Sequence, residues 1–197
     1  MHTLEEIIPL LERKSGGWTL VVGPSSLNTP LLQSIAHFLL PGLPVPASQA
    51  QVQADAPAGV HVLDGGNRFN AFSVARAARG RPEVLNRITV SRAFTCYQVR
   101  SLLESTPAGA GPFVILDLLR TFYDESVQAG ERKRLLQACL TQLRRLEQAG
   151  GGLVSVHPPA LASPAALELL ALLQLAAAET FFFQEEPKAP IAPRLFQ

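Results

Sequence analysis

Apolar positions along the chain recur with two different periods, and the change of period separates strands from helices. Residues 3–14 carry Leu4, Ile7, Ile8 and Leu11 at helical spacing, with Thr3 as N-cap, Glu6 as its capping-box partner and Gly16-Gly17 as the stop. Pro9 marks a point where that helix kinks. Residues 18–32, WTLVVGPSSLNTPLL, read as a short apolar strand, a turn of Gly, Pro, Ser and Asn, and the start of a helix. Pro30 suits its first turn, and Leu31, Leu32, Ile35, Phe38 and Leu39 face the core. Residues 41–59 read as a surface connection. Further strands are predicted at 60–63, 87–90, 112–116, 153–156 and 180–183. Helices are predicted at 72–79, 97–104 and 131–148 and from Ser163-Pro164 onward.

Strands alternating with helices predict an α/β fold with a mainly parallel sheet and helices on both faces, because parallel strands need right-handed crossovers. The stretch 112–116 is almost wholly apolar and closes on Asp117, as a strand covered on both faces should. Residues 1–186 are expected to form one domain and the Pro-rich 187–197 a tail.

In such sheets ligands bind at the carboxyl ends of the strands. That rule selects residues 23–29, residues 64–68, Asp117 and His157 as one rim. A strand running into a small-residue turn and a helix N-terminus is a common way to aim backbone N–H groups at a phosphate. Counting GxxxxGK[ST] from Gly23, however, places the second Gly, the Lys and the Ser/Thr on Asn28, Thr29 and Pro30. The candidate phosphate loop of Gly23, Ser25, Ser26, Asn28 and Thr29, with Asp117 across the rim, has the frame of a nucleotide site without its charged groups. A left-handed Asn28 would keep the shape of that loop, and Ser25 and Ser26 would satisfy its backbone.

Composition narrows the setting. A net charge of +1 gives no strong global field, so attraction for nucleic acid must come from local clustering. Between residues 68 and 100 seven arginines face one acid, Glu83, which is such a cluster. Cys96 and Cys139 form no CxxC pair, so a reducing compartment without structural zinc is expected, with Cys139 packed as a small apolar residue. Glu5, Glu6 and Glu12 interrupt any signal-peptide pattern. The most apolar stretch, 165–178, carries Glu168 and is shorter than the about 20 residues that a membrane span needs. A soluble, cytoplasmic protein is the expectation.

Four blocks, in order, resemble the RecA/RadA-like recombinase core and its non-catalytic paralogues over roughly residues 17–160. GPSSLNTPLLQ stands in place of GPxSxGKTxLL, and VHVLDGGNRFN where that family has a strand ending in an acidic turn. RITVSRAFTCYQVRSLL is similar to a strand and helix carrying RAF or RAY. PFVILDLLRTFYDESVQAGERKRLLQACLTQLRRL with LVSVHPP is similar to the Walker B strand, the first DNA-facing loop, the long helix and the following strand. The resemblance implies a RecA-like, P-loop NTPase-type fold with core strand order 3-2-4-5-1. It also implies losses: Gly65 or Gly66 stands where the family places its water-activating Glu, and Thr29 and Pro30 replace the lysine and the magnesium-binding hydroxyl. Asp117 would reach Mg²⁺ through water in the family; here a relic carboxylate that caps a turn or pairs with a nearby arginine is the plainer expectation.

Arg132, Lys133 and Arg134 fall at the family's first DNA-facing loop and, with Arg68, are the candidate DNA contacts. Phe72-Ser73-Val74-Ala75 matches a Phe-x-x-Ala subunit-contact pattern, but helical spacing places Phe72 and Ala75 in the core. Arg194-Leu195-Phe196 in the tail has the character of a short docking peptide. The expected function is a non-catalytic RecA-like accessory protein in DNA recombination or repair, binding DNA, a repair protein, or both, with a RecA-like subunit as a possible oligomer partner. No catalytic residues, metal or cofactor are expected, weak ATP or ADP binding being left open. Two alternatives stand beside it: a nucleotide-binding but non-hydrolysing subunit of a larger ATPase, with Arg68 or another subunit supplying the cation, and a serine hydrolase using Ser25, Asp117 and His157.

Overall fold

Among the described residues six strands, all parallel, form one sheet: β1 (Trp18–Val22), β2 (Val60–Asp64), β3 (Ile88–Arg92), β4 (Phe113–Leu116), β5 (Gly152–Val156) and β6 (Glu179–Phe182). Their spatial order is β3-β2-β4-β5-β1-β6, so the chain is an α/β protein built on a parallel sheet. This computed structural model describes residues 7, 11, 17–40, 59–108, 112–148, 151–159 and 163–184. The connection expected at 41–59 (apart from Gly59), the tail and most of the expected first helix lie outside the described residues. Of that helix, Ile7 and Leu11 are described, and both are helical and buried.

After β1 the described α-helices are α1 (Asn28–Leu39), α2 (Ala71–Ala77), α3 (Cys96–Ser105), α4 (Ala129–Glu147) and α5 (Pro164–Ala176). Alternation along the strands divides the core in two. Trp18, Leu20, Val22, Phe113, Ile115, Val154 and Val156 face α3, α4 and α5, while Val21, Val62, Val114, Leu116 and Leu153 face α1 and α2. Central strands β1, β4 and β5 are buried along their whole length, which is why β4 reads as a continuous apolar run and β1 and β5 as runs broken only by Thr19 and Ser155. Gly152 lies opposite Phe113, and a Cβ there would sit 2.0 Å from the ring. Cys139 is fully buried on α4, and burial pushes its thiol up to about 12; the Cys96 thiol is raised for the same reason.

Two sequence expectations are corrected. The third strand starts at Ile88 rather than 87, because residues Pro82–Arg87 form a 3-10 turn with proline in its first turn and the Arg87 guanidinium donates to the Leu39 carbonyl at 2.7 Å. Phe72 is not a core residue. The Asn70 side chain caps α2, accepting from the Phe72 and Ser73 amides, and this phase turns Val74 and Ala78 inward and leaves Phe72 72% exposed. No described helix is long and apolar enough to cross a membrane.

Candidate functional site

Helices α1 and α2, which follow β1 and β2, cover one face, and α3, α4 and α5, which follow β3, β4 and β5, cover the other. Loops leaving neighbouring strands therefore diverge at two places on the carboxyl rim, between β1 and β5 and around β2, where it adjoins β4 and β3. Such divergence opens a crevice.

The first crevice holds the candidate phosphate loop, and its own residues fill it. Residues Ser25–Leu27 form a 3-10 turn that runs straight into α1. The amides of Leu27 and Asn28 are spent within it, donating to the Pro24 and Ser25 carbonyls. Asn28 is right-handed, at φ −60° and ψ −41°, which corrects the expectation of a left-handed residue. Its Nδ2 donates to the Arg68 carbonyl at 2.7 Å, while its Oδ1 is buried without a partner. Gly23 is glycine because of packing: a Cβ would lie 2.4 Å from Leu27 Cδ1 and 3.0 Å from Phe183. Ser25, Ser26 and Thr29 face solvent.

Asp117 follows β4 and is 1% exposed, in a left-handed conformation at φ 53°. Its amide donates to Ser155 Oγ at 3.0 Å, its Oδ1 accepts the His157 amide at 3.2 Å, and its Oδ2 lies 3.5 Å from Arg68 Nε. The expected carboxylate–arginine pair is therefore present, and the arginine is Arg68. With lysine and hydroxyl absent, two loop amides consumed and Asp117 engaged by Arg68, these residues do not fit a magnesium-bound triphosphate.

The Ser25–Asp117–His157 relay is not assembled, a correction to that alternative. A hydrolase needs its acid on the imidazole ring. Here Asp117 accepts from the His157 backbone instead, and His157 Nδ1 donates to the Gly23 carbonyl at 2.8 Å. Ser25 is exposed, and the hydrogen bonds of His157 go to Asp117 and Gly23.

Around β2 the rim is organised by Asp64. It is fully buried, accepts the Arg68 and Phe69 amides at 2.7 and 2.9 Å, and has Arg92 Nε 3.4 Å away. The sequence reading placed Asp64 on the rim without a role; its signal was an acid ending a buried strand just before Gly-Gly. A Cβ on Gly66 would stand 2.6 Å from Asp117 Cβ, so this second glycine of the pair is required by its neighbour.

Over β2, β3 and β4 the second crevice stays open, with a volume of about 390 Å³. Gly65, Gly66, Asn67, Phe94, Arg120, Thr121, Tyr123 and Asp124 line it. Burial, with the charge of Asp117, raises the Tyr123 phenol well above its ordinary value, so it stands as a hydroxyl.

The predicted DNA contacts scatter. Arg132 is buried and donates to the Phe122 carbonyl at 3.2 Å, so it props the end of the loop before α4 and presents no charge to solvent, which corrects its assignment. Lys133 pairs with Glu168, and Arg134 with both oxygens of Glu131 at 2.6 and 2.7 Å. Of the seven arginines between residues 68 and 100, Arg68, Arg92 and Arg100 hold acids and Arg87 holds a carbonyl. Arg76, Arg79 and Arg81 are exposed at the end of α2 and have no ion pair among the described residues. Spacing alone could not separate these three from the rest. No family model matches the chain, and no curated protein matches it.

Proposed function

We propose that this chain is a non-catalytic, RecA-like accessory protein of DNA recombination or repair that works by binding DNA, a RecA-like partner subunit, or both. The observation that carries the reading is the strand order β3-β2-β4-β5-β1 joined to a phosphate-loop position filled by Asn28, Arg68 and Asp117. Four ordered blocks of sequence resemblance support it independently. Arg76, Arg79 and Arg81 supply the phosphate-contacting charge, and Lys133 and Arg134 can exchange their exposed carboxylate partners for phosphate, since such surface pairs are worth little.

Gel-shift titration with single- and double-stranded DNA at low and moderate salt, with a pull-down from the native lysate, tests this. Salt-sensitive DNA binding that Arg76→Ala/Arg79→Ala/Arg81→Ala weakens by about tenfold is expected, three lost phosphate contacts lowering the log–log salt slope by roughly 2 to 3. Binding of neither DNA nor a recombination protein overturns the reading.

A further inference from the structure

We propose that the open crevice over β2, β3 and β4 is a one-nucleotide subsite, taking a planar base against Phe94 and one phosphate at Arg120. It is separate from the filled loop beside β1. In its strand form the subsite rests on the nucleic-acid reading above; a free mononucleotide would use the same chemistry without that reading.

The fold makes the crevice. The loop after β2 turns toward α2 while the loops after β3 and β4 turn toward α3 and α4, leaving a gap at the carboxyl ends where α/β sheets seat ligands. Its volume of about 390 Å³ suits one nucleotide unit rather than a duplex. Gly65 and Gly66 bring bare backbone to its floor.

Its walls carry unspent chemistry. Thr121 is nine-tenths buried and Tyr123 is partly buried, both line the crevice, and neither hydroxyl has a partner among the described residues. Buried hydroxyls without partners are uncommon. Phe94 is 69% exposed at the wall, yet its backbone is held: its amide donates to Gln98 Oε1 at 2.8 Å, and Thr95 caps α3 by accepting from the Gln98 amide. A ring presented to solvent on a fixed backbone is a stacking platform. Arg120 is exposed and makes no ion pair with a described residue, whereas Arg68 and Arg92 close by are committed to Asp117 and Asp64. Asp124 gives the crevice a polarity. The Ser126 amide and hydroxyl hold its carboxyl below the ordinary value, so it accepts from an exocyclic amine and repels phosphate toward Arg120. A duplex would keep its bases stacked away from Phe94, so a strand must present an unstacked one.

The test titrates a dT hexamer with a central 2-aminopurine, the same hexamer with a central abasic site, and free dAMP, against wild type, Phe94→Ala, Phe94→Trp and Arg120→Ala. Phe94 is on the surface, so its removal leaves the core intact. Phe94→Ala should weaken the base-bearing hexamer about tenfold without affecting the abasic one, with Phe94→Trp restoring it. Arg120→Ala should weaken both. Loss of dAMP binding in Phe94→Ala while no hexamer binds supports the subsite and counts against the nucleic-acid reading. Equal effects of Phe94→Ala on both hexamers, or no binding of any probe, overturn the subsite. Unchanged binding of the base-bearing hexamer in Phe94→Ala overturns it as well, and would leave the exposed ring to a protein partner.

Discussion

Asp64→Ala is expected to unfold roughly 10 °C below the wild type. The side chain is fully buried and accepts two backbone amides, from Arg68 and Phe69, beside the Arg92 guanidinium. Alanine leaves both amides without acceptors, and each orphaned group costs about 1–3 kcal/mol. With loss of the adjacent charge the total comes to about 3–5 kcal/mol, and a chain of this size loses roughly 2–4 °C per kcal/mol. Thermal denaturation followed by circular dichroism reads this directly. Asp64→Asn, which keeps one acceptor oxygen, should fall between. The loop that Asp64 ties down also carries Gly65 and Gly66, so ligand affinity at the crevice should fall with it.

Gly66→Glu is the second large effect, a carboxylate placed at one of the two glycines, Gly65 or Gly66, where the resemblance would put a water-activating acid. Its Cβ would lie 2.6 Å from Asp117 Cβ and 2.8 Å from Oδ2. Asp117 cannot retreat, since it is 1% exposed and tied to Ser155 and His157. The steric clash and a second carboxylate beside the first should together cost about 2–4 kcal/mol, read as a lower urea midpoint with an unchanged m-value. Gly66→Ala should suffer the steric part alone. Adding Asp117→Gly to it should cost less than the two single losses summed, because glycine removes the opposing Cβ and accepts φ 53° without strain even though the His157 amide loses its acceptor. Additive losses in the double variant would contradict the proposed clash.

Much of the architecture was legible because central parallel strands announce themselves as unbroken apolar runs, as residues 113–116 do, because Pro30 fits the first turn of a helix, and because Ser163 caps the next one's start. Phe72 was misread for a local reason: periodicity cannot set the phase of a two-turn helix, and the Asn70 cap does. The rim was less legible. Arg132 looked like a solvent cation beside Lys133 and Arg134, yet the chain folds its guanidinium onto the Phe122 carbonyl. Asn28 looked like a glycine substitute and is the first residue of α1, bonded to the Arg68 carbonyl forty residues on. The pairing of Asp117 with Arg68, the dependence of Gly66 on Asp117, and the crevice beside Phe94 all join segments distant in sequence, where spacing carries no signal.

The account proposed from these features is that the loop beside β1 is held for the fold and that the rim binds without turning over nucleotide. Phosphate release from Mg-ATP by the wild-type chain, with and without single-stranded DNA, tests it most directly. The account predicts release no faster than the protein-free background, unchanged in Asp117→Asn. DNA-stimulated release that Asp117→Asn abolishes would contradict it.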